Sequence, residues 1–298
     1  QAEDGIRDLA SSLVGSEDVY KRQIYKGGVM PKKPGAYFRP DNLDEALQLL
    51  SKPDTAPLAG GTELLAQEDG VSLDAVVDLQ DLGLDQISLD DNRLRIGAMV
   101  TLDGLDRFLT KELGTAATTP LLQKAVHQAG PNTYRNASTL GGLCASRLPD
   151  SELLAALLVL ETDLVYRVPA ISMISLEEYL QSGGRLQGLI TKIIIPWKDG
   201  QGASARVART PKDYPIVSIT TWQPSAGTVR LAATGLGTRP FRLTMAESEL
   251  VEGRDETTVT AAADAARDAT LHPGDLRGDA GYRAEMAAVL TRRVLSEL

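Results

Sequence analysis

The sequence predicts an α+β protein of two domains. Short apolar strands feed glycine-pair turns at Gly60-Gly61 and Gly141-Gly142. A run of alternating strands follows residue 200, and the chain then closes on helices alone. At 298 residues it is long enough to bury two cores.

The elements follow in order. Asn42 and Glu45 have capping-box spacing ahead of Leu43, Ala46, Leu47 and Leu50, which recur at helical intervals. Pro57-Leu58-Ala59 reads as a short strand entering the first glycine turn. Ala75–Leu79 and Arg93–Ile96 are strands by their branched residues and alternation. Asp103–Phe108 and Pro120–Gln128 read as helices, and the apolar stretch Ser151–Leu160 as a buried one. Leu164–Val168 and Ile190–Ile195 are strands. Lys198-Asp199-Gly200-Gln201-Gly202 has linker composition. Ala205–Ala208, Ile216–Trp222 and Val229–Ala233 form a three-stranded antiparallel meander, followed by helices near 244–252, 256–270 and 280–298.

Composition narrows the function. The net charge of −9, with no basic stripe, argues against a nucleic-acid partner. Apolar runs such as Leu153–Leu160 are too short to span a bilayer. There is one cysteine, Cys144, and two histidines, His127 and His272. No intrachain disulfide is possible, and an iron–sulfur cluster needs about four thiolates. A cytoplasmic protein borrowing its redox chemistry from an organic cofactor is the expectation. Cys144 reads as a small apolar filler, and His127 as structural. Asp18-Val19-Tyr20-Lys21-Arg22-Gln23 resembles the translation of a transposase end used in sequencing libraries. Residues 1–23 are therefore expected to be a non-native leader.

The chemistry concentrates in the glycine turns. Leu58-Ala59-Gly60-Gly61-Thr62-Glu63-Leu64-Leu65 and Ser138-Thr139-Leu140-Gly141-Gly142-Leu143 each set a hydroxyl residue beside a Gly-Gly pair. Without Cβ atoms, backbone N–H groups can converge on phosphate oxygens, although Gly-Gly is also ordinary turn punctuation. Neither turn fits the dinucleotide fingerprint or the P-loop pattern. Two such cradles suit a ligand with two phosphates.

Together these motifs resemble the FAD-binding medium subunit of molybdenum hydroxylases, the carbon monoxide dehydrogenase and xanthine dehydrogenase group. Ala59-Gly60-Gly61-Thr62-Glu63-Leu64-Leu65 is similar to that family's A-G-G-T-[DE]-L-L turn. Thr139-Leu140-Gly141-Gly142, then Pro149-Asp150-Ser151-Glu152-Leu153, is similar to its second turn and P-x-S-D-L segment. Phe38-Arg39-Pro40, Ile96-Gly97-Ala98 with Thr101, Arg135-Asn136 and Asp275-Leu276-Arg277-Gly278 with Tyr282-Arg283 and Leu290-Thr291-Arg292-Arg293 extend the resemblance over residues 34–298.

The resemblance implies a two-subdomain FAD-binding domain of the PCMH type over 24–200 and a C-terminal flavoprotein domain over 201–298. It implies that Ala59–Leu64 cradle the FAD pyrophosphate, that Thr139, Gly141 and Gly142 hold its other side, that Leu58, Thr101 and Leu143 are further cofactor-binding positions, and that Glu152 takes a ribose hydroxyl. Ser146 is a further donor, and Ile194 and Tyr214 are expected at the flavin ring. Leu143 stands where the family has Asn, which removes an amide contact. Arg147 either offsets phosphate charge or is a solvated loop residue. The implied partners are a 2Fe-2S small subunit and a molybdopterin large subunit, in a dimer of heterotrimers, with electrons passing to an external acceptor. A standalone flavin oxidoreductase and a flavin-free scaffold are the alternatives.

Overall fold

The computed structural model describes residues 34–66, 73–114, 116, 118–168, 170–182 and 188–298. The expected leader, residues 1–23, lies outside them.

Two sheets build the first part of the chain. β1 (Ala36–Phe38), β2 (Thr55–Leu58) and β3 (Ala75–Asp78) form a parallel sheet in the order β1-β3-β2. Helix α1 (Leu43–Leu50) connects β1 to β2, and Asn42 caps it by accepting from the Glu45 N–H at 2.9 Å. Its Ala46 packs with Val77, Leu79 and Leu189 in a small core. β4 (Ile87–Asp90), β5 (Arg93–Gly97), β6 (Asp163–Val168), β7 (Ala170–Ser175) and β8 (Leu189–Pro196) form an antiparallel sheet ordered β4-β5-β8-β6-β7.

A helical layer covers the second sheet. It comprises α2 (Leu102–Phe108), α3 (Thr118–Gln128), α4 (Asn132–Ala137), α5 (Leu140–Ser146), α6 (Glu152–Val159) and α7 (Leu176–Gln181). Every residue of α6 is buried, because sheet and helices surround it. Its leucines join Leu94, Ile96, Ile193 and Ile195 in the largest core.

The C-terminal part is a sheet ordered β12-β11-β10-β9, made of β9 (Gly200–Val207), β10 (Val217–Pro224), β11 (Arg230–Thr234) and β12 (Phe241–Arg242). The three strands expected there gain a fourth, two-residue strand. Its shortness leaves no alternation to read. Helices α8 (Thr244–Ser248), α9 (Glu256–Asp268) and α10 (Ala280–Ser296) follow, with the hairpin of β13 (Gly274–Asp275) and β14 (Gly278–Asp279) leading into α10. Val217 and Ile219 of β10 face the helices, whereas Trp222 enters the large core of the first part.

Trp222 also explains why the expected linker is not one. Gly200 and Gly202 belong to β9. A Cβ on Gly200 would lie 2.7 Å from the Trp222 indole, and one on Gly202 would lie 2.8 Å from both the indole and Leu121. These glycines mark a close approach inside a strand rather than a flexible joint.

Candidate functional site: a backbone cradle beside a buried carboxylate

The first glycine motif leaves β2 as an open loop. Gly61 adopts φ +70°, a left-handed conformation that costs other residues about 1–2 kcal/mol. Gly60 sits so tightly on the Ala137 carbonyl that no Cβ fits there. Among the described residues, the N–H groups of Ala59, Gly60, Gly61, Thr62, Glu63 and Leu64 donate to no protein acceptor, and the Thr62 hydroxyl also has no protein partner. Leu58, at the end of β2, accepts from the Leu79 N–H at 3.1 Å, and the Leu65 N–H closes the loop onto the Gly61 carbonyl at 3.1 Å. Free backbone donors at consecutive positions of a glycine loop can form an anion cradle. Glu63 is oriented by the Tyr134 hydroxyl, which donates to its carboxylate at 3.0 Å. Burial pushes the Tyr134 pKa up to about 12, with the adjacent Glu63 charge contributing.

The second motif differs from the expected turn, because Gly141 and Gly142 lie in the first turn of α5. Thr139 caps that helix and accepts from the Gly142 N–H at 3.1 Å. The Gly141 N–H donates to the Ala98 carbonyl, the Leu140 N–H to Val100 and the Leu143 N–H to Thr139, each at 2.9 Å. The donors are therefore committed inside the protein. A Cβ on Gly141 would meet the Ala98 Cβ at 2.6 Å, so this glycine serves packing. A glycine pair near a threonine reads alike in sequence whether it opens a loop or a helix. Thr101 bridges to Thr139 across the chain and caps α2 by accepting from the Gly104 N–H at 3.0 Å. A Cβ on Gly142 would lie 3.9 Å from Ala59. The second motif is thus the floor on which the first loop rests.

Beside that floor lies Glu152, in the first turn of α6 and 4% exposed. Arg206 of β9 donates to its Oε2 at 2.8 Å. Burial raises the Glu152 pKa to about 7, against the downward pull of Arg206 and Lys124. Its Oε1 is buried without a hydrogen-bond partner. A cavity of about 10 Å³ at this point is lined by Glu152, Leu143, Tyr134, Tyr214 and Gln128, among others. The structure therefore gathers Glu63, Leu143, Glu152 and Tyr214 into one neighbourhood. Tyr214 is 49% exposed and forms the outer wall.

Other expected residues fall elsewhere. Ile194, on β8, lines a separate cleft of about 640 Å³ with Arg93, Asp163, Pro196 and Trp197. Its register opposite Arg95 and Asp163 puts it toward the end of β8 away from Thr191, which accepts from Ala98 beneath the glycine floor. The Ser146 hydroxyl donates to the Leu143 carbonyl at 2.7 Å. Arg147 stacks over the Tyr179 ring at 3.9 Å and donates to the Ser182 carbonyl at 3.0 Å, so it is neither a phosphate counter-charge nor a solvated loop residue.

Sequence reasoning missed Tyr134, Gln128 and Arg206. It also missed how the 149–152 segment is fastened. The Gly235 N–H donates to the Pro149 carbonyl at 3.2 Å, Arg277 pairs with Asp150 at 3.1 Å, and Arg206 pairs with Glu152. The Arg277 hairpin is held in turn by Arg283, which is fully buried. Arg283 donates to the Gly235 carbonyl at 2.8 Å and to Asp275 at 2.7 Å. Aspartate and arginine spacing in 275–283 was the one signal available for this anchor.

Residues 31–198 match the family described as the FAD binding domain in molybdopterin dehydrogenase. Residues 206–298 match the CO dehydrogenase flavoprotein C-terminal domain. The uncharacterized protein YgfM of Escherichia coli strain K12 is 30% identical over 258 residues, covering 85% of this chain and 92% of that one. The carbon monoxide dehydrogenase medium chain of Afipia carboxidovorans is 28% identical over 284 residues, covering 88% and 96%. The carbon monoxide dehydrogenase structure from Hydrogenophaga pseudoflava superposes with a TM-score of 0.81 over 90% of this chain and 98% of its own, at 24% identity, which speaks to fold alone.

Proposed function

The chain belongs to the family of FAD-binding medium subunits of carbon monoxide dehydrogenase-type molybdenum hydroxylases, and from that premise we propose that it is the electron relay of such a complex. It takes electrons from a 2Fe-2S small subunit and passes them to an external acceptor, while a molybdopterin large subunit carries the substrate chemistry. The complex is a dimer of heterotrimers. Medium chains of multisubunit dehydrogenases among the relatives support this reading.

The observation that carries the cofactor reading is the first loop. Six consecutive N–H groups and a Thr62 hydroxyl without protein partners among the described residues, with a left-handed Gly61, suit a pyrophosphate. The residues present fit FAD at that point, and Ala59–Leu64 would hold its phosphates. Bound FAD supplies storage for up to two electrons. The chain's own residues position it: Tyr134 fixes Glu63 at the loop, the α5 floor supports the loop from below, and Leu143 excludes water beside it. No acid–base step is required of the protein.

Purification of the full chain tests the reading. Yellow protein that releases FAD on denaturation is expected, and isolation from native cells brings down iron- and molybdenum-containing partners. Colourless protein that does not take up added FAD overturns it.

A further inference from the structure

The first glycine loop carries an acid of its own. Glu63 lies inside the run of six N–H groups that have no protein partner, and among the described residues no cation pairs with it. What holds its carboxylate there is the neutral Tyr134 hydroxyl, at 3.0 Å and from 71 positions away. A loop of free N–H groups attracts any anion. The nearest anion is the side chain on the loop itself.

Tyr134 is placed to hold that side chain off. Its ring packs against the large core, and a Cβ on Gly130 would lie 2.9 Å from it, so the hydroxyl has little freedom to move. Burial keeps the hydroxyl protonated and able to donate, with a pKa of about 12. The same helix, α4, supports the loop at a second point, where the Ala137 carbonyl meets Gly60. Contacts at Gly60 and Glu63 thus flank Gly61 and Thr62, whose N–H groups stay free.

We propose that Tyr134 is a positioning residue that keeps the loop's own carboxylate out of its anion cradle, so that the cradle accepts the diphosphate of a dinucleotide. The proposal rests on the flavin reading above. Without the hydroxyl, Glu63 keeps its charge and gains rotational freedom. Its carboxylate then takes the free N–H groups or repels a phosphate beside them. Hydrogen bonds from backbone N–H groups to a carboxylate are roughly twice as strong as neutral ones, so an unrestrained Glu63 competes with the ligand. Glutamine at this position accepts from Tyr134 in the same way but bears no charge, and does not compete.

The test is a double-mutant cycle, read by fluorescence titration of the full chain stripped of flavin, with FAD as the probe. Tyr134→Phe keeps the ring and removes only the hydroxyl, and is expected to weaken FAD binding about tenfold. Glu63→Gln is expected to bind FAD at least as tightly as wild type. Adding Tyr134→Phe to Glu63→Gln is expected to change affinity by less than about threefold. Glu63→Asp keeps the charge but falls short of the hydroxyl; it repeats the loss and serves if Tyr134→Phe does not fold. A hydroxyl that serves packing alone costs the same in both backgrounds, and that result overturns the proposal. So does a Tyr134→Phe variant that binds FAD as wild type does, or a Glu63→Gln variant that binds it more weakly. Wild-type protein that does not take up FAD removes the flavin reading and this role with it.

Discussion

Arg206 of β9 donates to the carboxylate of Glu152 at 2.8 Å across the boundary between the first part of the chain and the C-terminal sheet, and burial still holds the Glu152 pKa near 7. Burial therefore outweighs the ion pair.

The folded protein binds the Glu152 proton more tightly than the unfolded chain, whose pKa is near 4.5. Stability is greatest below that value, falls as pH rises from 4.5 to about 7, and levels off above. The full difference is on the order of 3 kcal/mol. Glu152→Gln is expected to flatten this slope in denaturant unfolding measured from pH 4.5 to 8.

Arg206→Met leaves the buried carboxylate without its partner. The expected loss is about 3–5 kcal/mol at pH 8. It shrinks toward pH 5, where Glu152 protonates. Melting curves of the variant at the two pH values check this, and an equal loss at both would mean that Arg206 acts through packing alone.

Gly61→Ala places a Cβ on a residue with φ +70°. A stability loss of about 1–2 kcal/mol is expected, with FAD affinity reduced at least about tenfold because the cradle shifts. Gly141→Ala instead clashes with Ala98. Its expected effect is a loss of stability of about 1–3 kcal/mol, with affinity falling only as folding does. Flavin fluorescence titrations paired with melting curves separate the two.

Cys144 is fully buried, and burial pushes its thiol pKa up to about 12. In native protein it is expected to resist disulfide reagents at pH 8, and to react at once after denaturation. A thiol release assay with and without guanidinium measures the difference.

The parts legible in the sequence are those set by local chemistry. Asn42 caps α1 because its side chain reaches the Glu45 N–H, a relation fixed by spacing. The apolar run of α6 announces its own burial. The first glycine loop is equally local, since Gly61 must be left-handed for it to turn. What remained hidden depends on distant partners. Gly141 and Gly142 have the same composition as Gly60 and Gly61, yet their N–H groups are consumed by Ala98 and Thr139. Gly200 and Gly202 looked like a hinge until Trp222 packed against them. Glu152 carries the expected acid, but its ion pair comes from a residue 54 positions later. Ile194, expected at the flavin ring, lies on β8, whose alternation turns it away from the core that holds Ile193 and Ile195.

The fastening of residues 149–152 has a consequence for any shortened form of the protein. All three clasps on that stretch come from beyond Lys198. A fragment ending there would strand a buried acid with no counter-ion and leave an aspartate and a carbonyl loose beside the cavity at Glu152. The C-terminal third is thus a structural condition of the cavity at Glu152, although it supplies none of the first glycine loop.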